Sequence, residues 1–194
     1  MLYAANAENF STESREWAKK IIHSTDRMQM LVHDVLSLST ITDEIEFNIV
    51  NIKEVISAVL EDLEMNISEK KASIQVGEIP LVTGNKSYLT QLFSNLISNA
   101  IKFTKKIPVI SIKGETIRTR VFIHITDNGI GIDKKDYSKI FEAFSRLNPK
   151  MEFEGSGIGL TICKKIASIH NGHIKVESEP GLWTTFTIDL PAAE

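Results

Sequence analysis

The 194-residue chain is 42% hydrophobic, enough for one domain of about 150 residues with a sizeable core, plus an appendage. Its formal net charge of −3, with Lys and Arg scattered among Asp and Glu, offers no basic face and argues against a nucleic-acid partner. A single cysteine, Cys163, rules out an intrachain disulfide and suits a reducing compartment. No apolar run approaches the ~20 residues that span a bilayer, and no signal-peptide core opens the chain. A soluble, cytoplasmic chain without membrane contact is expected, and a longer parent anchored upstream is compatible with it.

Residues 11–42 are expected to form one long helix. Trp17, Ile21, Ser24, Met28, Leu31, Val35 and Leu38 follow steps of 4, 3, 4, 3, 4 and 3, a heptad seam interrupted only by Ser24. Ser11 or Thr12 is the candidate N-cap, with Glu13 in the first turn. So narrow a seam on so long a helix calls for partner helices; the alternative is packing on its own domain. Residues 43–50 read as a polar connector. A second helix is expected over 52–68, with Ile52, Val55, Ile56, Val59, Leu60 and Leu63 on one face and Asn51 and Glu54 at capping-box spacing.

Residues 72–76 alternate like a strand, and 77–84 form a loop with room for one more short strand. Asn85 can cap a helix over 86–105, whose buried side is Leu89, Leu92, Phe93, Leu96 and Ala100. Residues 109–114 and 121–127 read as strands around a polar turn. A short helix follows Asp133, then a loop of about ten residues, then a helix over 158–170 that stops at Asn171-Gly172, with glycine as the expected left-handed residue. Strands near 173–178 and 184–190 close the chain. The fold expected is α+β: a two-layer sandwich with a mixed sheet covered by helices on one face, preceded by one long helix.

Three segments carry candidate chemistry. On the 86–105 helix, Asn95, Asn99 and Lys102 share a stripe opposite the Leu/Phe stripe. Amides beside an ammonium make a poor core but a good lining for polyphosphate and a metal; Mg²⁺ needs little more than one amide oxygen plus phosphate oxygens. The alternative is a solvated polar face. Asp127 ends an alternating strand just before Gly129 and Gly131, where a carboxylate can accept a hydrogen bond from a base's exocyclic amine or simply form a turn with Asn128. Gly155, Gly157 and Gly159 precede an apolar helix, whose N-terminus offers free N–H donors and a positive dipole end to an anion. Together the three segments read as one nucleotide-phosphate site.

Residues 91–104 resemble the N box of sensor histidine kinases, 127–132 their G1 box, 140–146 their F box and 155–160 their G2 box. The resemblance covers residues from about 48 to 191, with the four motifs in the family's order, and places the chain in the GHKL ATP-binding superfamily. It implies that Asn99 ligates Mg²⁺, that Lys102 and Asn95 approach the phosphates, and that Asp127 recognises adenine. It further implies that Phe103 packs on the base and that Arg146 reaches the γ-phosphate from a lid between Gly131 and Gly155. Gly129, Gly131 and Ile132 of the G1 box, Phe144 of the F box, and Gly155, Ser156, Gly157, Ile158, Gly159 and Leu160 of the G2 box are carried over as nucleotide contacts, as is Thr184. The superfamily's ATP-hydrolysing machines place a glutamate one helical turn before the metal-binding asparagine; here that position is Asn95, which cannot act as a general base. Transfer of the γ-phosphoryl to a protein side chain is therefore favoured over hydrolysis.

Residues 1–47 are expected to be part of the family's dimerisation and phosphotransfer region, and 48–194 its catalytic domain. The family's acceptor-histidine box is not found in the sequence. His33-Asp34 is its nearest imitation, but no proline follows, and residues 31–41 instead resemble the end of the family's second hairpin helix. The chain is accordingly expected to begin after the first hairpin helix, to bind MgATP without labelling itself, and to belong to a homodimeric parent that serves a response-regulator receiver domain. The competing expectation is a degenerate scaffold module, motivated by Trp183 where the family usually has glycine. Cys163 reads as a buried structural thiol. His23, His124, His170 and His173 read as incidental, His170 being well placed for the helix dipole.

Overall fold

The computed structural model describes residues 11–41, 46–145, 147 and 155–193. Helix α1 (Thr12–Thr40) starts at Ser11, whose hydroxyl accepts the Ser14 N–H. Strand β1 (Asn48–Val50) follows, then α2 (Ile52–Asp62), α3 (Glu64–Lys70), β2 (Ser73–Val76), β3 (Val82–Gly84) and α4 (Lys86–Lys102). The antiparallel pair β4 (Val109–Ile117) and β5 (Arg120–Asp127) leads through two short 3₁₀ turns (Lys134–Asp136, Lys139–Phe141) to α5 (Gly159–Ile169), β6 (His173–Glu179) and β7 (Trp183–Pro191). The five-stranded sheet has the order β2-β4-β5-β7-β6, and its β2–β4 pair is parallel, so the sheet is mixed as expected.

One face of this sheet is apolar. Ile110, Ile112, Val121, Ile123, Ile125, Ile188 and Leu190 are almost wholly buried, alternating with residues that face the other side. Helices α2, α4 and α5 cover that face with Val55, Ile56, Val59, Leu92, Phe93, Leu96, Ile162 and Ile166. The result is a two-layer sandwich with a single core. The α2–α5 layer fixes the site, because α4 and α5 run antiparallel: Asn95 meets Gly159 at one end, and Asn85 meets His170 at the other.

Several local expectations need correction. The 52–68 segment is two helices, broken at Leu63, whose N–H bonds back to Val59 and Glu61. Its apolar spacing continues across the break to Ile67, so periodicity alone cannot reveal it. Residues 48–50 form a strand rather than connector, paired with Val82–Gly84 far along the chain. Helix α4 ends at Lys102, with Phe103 as its C-cap. After α5 it is Asn171, at φ +53°, that takes the left-handed conformation. Gly172 is instead required for space, since a Cβ there would lie 2.1 Å from the Asp189 carbonyl oxygen.

Helix α1 has no bundle partner among the described residues and packs through its C-terminal half on α5 of its own domain, the alternative the sequence left open. Trp17, Ile21, Met28 and Val35 of its seam are exposed, while Leu31 and Leu38 pack against the core and Ile41 is buried.

Candidate functional site

The C-terminal half of α4 presents its polar stripe to a cavity of about 610 Å³, which Asn95, Ser98, Asn99, Lys102 and Phe103 line. The opposite stripe of the same helix is buried in the core, so the helix cannot rotate the amides away. A cavity of this size suits a nucleotide-sized ligand.

At one end of the cavity lie Asp127 and Thr184, direct neighbours across the β5–β7 ladder and both buried. Asp127 Oδ1 accepts the Gly129 N–H at 2.8 Å, and Thr184 Oγ1 lies 3.0 Å from Ser178 Oγ. Burial holds the Asp127 carboxyl above the usual carboxylate range, at about 6, against the opposite pull of the Gly129 N–H. The turn beyond is pinned on both sides: the Ile130 N–H donates to the Phe103 carbonyl at 2.9 Å, and the Ile130 carbonyl accepts from Gly181 at 2.7 Å. Gly131, at φ +69°, sits where a Cβ would come 2.3 Å from the Glu179 carbonyl oxygen, so no other residue fits.

The other end is the turn leading into α5. Gly157 takes φ +77°, and its carbonyl accepts the Phe144 N–H at 3.0 Å. The Ser156 hydroxyl accepts the Ile158 N–H at 3.2 Å, and Asn95 Nδ2 donates to the Gly159 carbonyl at 3.4 Å. The Lys102 ammonium stands 4.5 Å from the centroid of the Phe103 ring and close beside Gly155. A cation, an amide stripe and the N-terminus of α5 thus converge on one end, while a buried carboxylate and a hydroxyl occupy the other. This arrangement can neutralise a chain of phosphates at one end and bond a polar aromatic ring at the other.

Most of the residues singled out in the sequence meet here. From β5, the turn after it and β7, Asp127, Gly131, Ile132 and Thr184 line the cavity; from the α5 turn, Gly155, Ser156, Gly157, Gly159 and Leu160 do. Gly129 and Ile158 stand behind the wall and act through their backbone N–H groups. Phe144 does not line the cavity: it is 62% exposed, at φ +64°, and the apolar wall on that side comes from Ile140 and Leu147. Arg146 lies outside the described residues. Trp183, next to Thr184 in β7, projects to the opposite side of the sheet and is absent from the cavity wall.

Three further wall residues, Gln29, Met30 and Asp34 of α1, were not expected at the site from the sequence. No spacing signal links a residue on α1 to a turn more than 120 positions away. Ser98 was findable, lying between Asn95 and Asn99 on the same stripe. His170, read as incidental and suited to the dipole, is instead buried and serves as an acceptor for the Asn85 N–H at 3.0 Å, with Nδ1 turned to the Ile166 carbonyl at 2.7 Å. Burial lowers its pKa, so it is held neutral rather than as a cation at the helix end. Cys163 is fully buried as expected, and burial pushes its thiol up to about 12.

Residues 84–194 match the family model described as histidine kinase-, DNA gyrase B- and HSP90-like ATPase. The chain is 35% identical over 187 residues to the phytochrome-like protein Cph1 of Synechocystis sp., covering 95% of this chain and 25% of that protein. It is 31% identical over 195 residues to the sensor-like histidine kinase SenX3 of Mycobacterium bovis, covering 97% of this chain and 47% of that protein. The chain therefore spans between a quarter and about half of the length of these relatives. Among solved structures, full-length ShkA in complex with AMPPNP superposes with a TM-score of 0.76 at 26% identity, over 95% of this chain and 40% of that one. The fold, the family match and relatives aligned over nearly the whole chain lead to one assignment: the chain belongs to the sensor histidine kinases of two-component systems and carries their ATP-binding domain.

Proposed function

We propose that this chain binds MgATP in the α4–α5 cavity and serves a parent protein that moves the γ-phosphoryl onto a histidine, for relay to a response-regulator receiver domain. The observation that carries this is the convergence of Asn95, Asn99 and Lys102 with the Gly155–Gly159 turn on one cavity, with Asp127 and Thr184 at its far end. Asp127 accepts the exocyclic amine of adenine, and Phe103 borders the base. Lys102 and Asn95 face the phosphates, and Arg146 contributes its charge at the γ-phosphate. The nucleotide analogue bound by ShkA supports the same occupant here.

Magnesium fits the residues present. Among the described residues no group of three His, Cys, Asp or Glu side chains gathers to hold a metal by itself. The Asn99 amide oxygen on the cavity wall is instead the kind of single hard donor that Mg²⁺ accepts beside phosphate oxygens. When bound, the ion supplies charge neutralisation of the phosphates. Asn95 has no titratable group and bonds Gly159, so it orients rather than activates water, which favours transfer over hydrolysis.

In this reading residues 1–47 belong to the dimerisation region of a homodimer and 48–194 form the catalytic unit, on the cytoplasmic side where ATP is available. No helix of the described residues is long and apolar enough to cross a membrane. The accepting histidine is supplied by a helix other than α1. Incubation with γ-labelled ATP tests this: the chain alone stays unlabelled, and a separate helical hairpin carrying an acceptor histidine becomes labelled when added. Lys102→Ala or Asn99→Ala should slow that transfer roughly 100-fold with the fold intact. Label on His33 of the chain alone would overturn the acceptor assignment, and rapid phosphate release without transfer would overturn the kinase.

A further inference from the structure

The one acidic side chain at the phosphate end of the cavity wall, among the described residues, comes from α1. Leu31, Asp34, Leu38 and Ile41 follow steps of 3, 4 and 3 and so share one face of the helix. Leu31 and Leu38 pack on the core, Ile41 is buried, and the Lys165 ammonium donates to the Leu38 carbonyl at 2.9 Å. This docking sets Asp34 against the turn before α5, where its carboxylate accepts the Ser156 hydroxyl. Ser156 in turn accepts the Ile158 N–H, one of the donors at the start of α5. A carboxylate therefore holds the polar groups that an incoming phosphate needs, and its charge repels every phosphate added at that end.

Leu31 and Leu38 also belong to the heptad seam of α1, whose other apolar members are exposed. The same two side chains, half-covered by the domain core here, cannot also be fully packed inside a helical bundle.

We propose that Asp34 is a specificity-determining residue of the nucleotide site: with α1 docked, its carboxylate favours a nucleoside diphosphate over a triphosphate, and triphosphate entry releases α1. This rests on the nucleotide assignment above. Release frees Leu31 and Leu38 for the seam, which couples occupancy of the site to helix packing.

Calorimetry on the full chain with MgATP and MgADP, for the wild type and Asp34→Asn, tests the proposal. The variant keeps an acceptor for Ser156 and removes the negative charge. It should bind MgATP about tenfold more tightly, with a smaller gain for MgADP, and the difference should shrink at high salt. Amide hydrogen exchange of residues 31–41 in the wild type should speed up on adding MgATP. Unchanged or weaker MgATP binding by Asp34→Asn would overturn the role of Asp34, as would slower exchange of 31–41 with MgATP. Failure of wild type and variant to bind either nucleotide would overturn the nucleotide assignment, and this proposal with it.

Discussion

Asp127 carries two opposed demands. Holding a carboxyl at about 6 in a buried position means that its ionised form costs the empty fold about 3 kcal/mol at neutral pH. The folded state binds the proton more tightly than the unfolded state, whose carboxyl has its ordinary value of 3.8. The group's contribution to stability therefore rises as pH falls through about 6 and levels off below the unfolded value. Nucleotide binding has the opposite sign, because only the carboxylate is a full acceptor for an amine. We expect ATP affinity to fall as pH drops below about 6, by up to tenfold per pH unit. Asp127→Asn should remove that pH dependence, weaken ATP about 10- to 100-fold, and raise the unfolding free energy of the empty protein at pH 7. Titration calorimetry and urea unfolding across pH 5–8 check both directions. Asp127 was legible in the sequence because a strand-ending acid before two glycines is a local pattern. Its raised pKa was not, since that depends on how deeply the finished sheet buries it.

The two helices that form the site are held at both ends. Near the cavity Asn95 bonds Gly159; at the far end His170 joins the C-cap of α5 to the N-cap of α4. Asn85 caps α4 by accepting the Tyr88 N–H, while its own N–H is satisfied by the neutral imidazole. His170→Ala leaves that N–H without its protein acceptor and should destabilise the fold by about 2 kcal/mol at pH 7. The folded-state pKa of His170 lies below its ordinary 6.5, so the stability it brings is present above that value and is lost as pH falls below it. The gap between wild type and variant should therefore narrow at pH 5, which thermal unfolding at the two pH values measures. The start of α4 at Asn85 was readable from the capping residue and apolar spacing. The imidazole bond across 85 positions was not, because only the packed pair of helices brings the two caps together.

At the scale of the molecule, α1 is attached to the sandwich rather than part of it. None of its described side chains is fully buried: Leu31 and Leu38 are half-covered, and only Ile41, the residue that follows the helix, is buried. A chain trimmed to residues 46–194 should keep the fold and the cooperative unfolding of the full chain, at a loss of roughly 2–5 kcal/mol for the apolar groups uncovered. Denaturant unfolding of the two lengths measures this, and loss of cooperative unfolding in the shorter chain would contradict the boundary placed near 47/48. The amphipathic faces of α2, α4 and α5, the alternation in β5 and the glycine turns are properties of neighbouring residues, so the sequence by itself determined those elements and most of the polar residues that line the candidate cavity. Pairing of Asn48–Val50 with Val82–Gly84, the neutral role of His170 and the seating of Asp34 on Ser156 depend on residues that are distant in the chain and near in space. Only the tertiary structure decided them, because non-local contacts leave no periodicity behind.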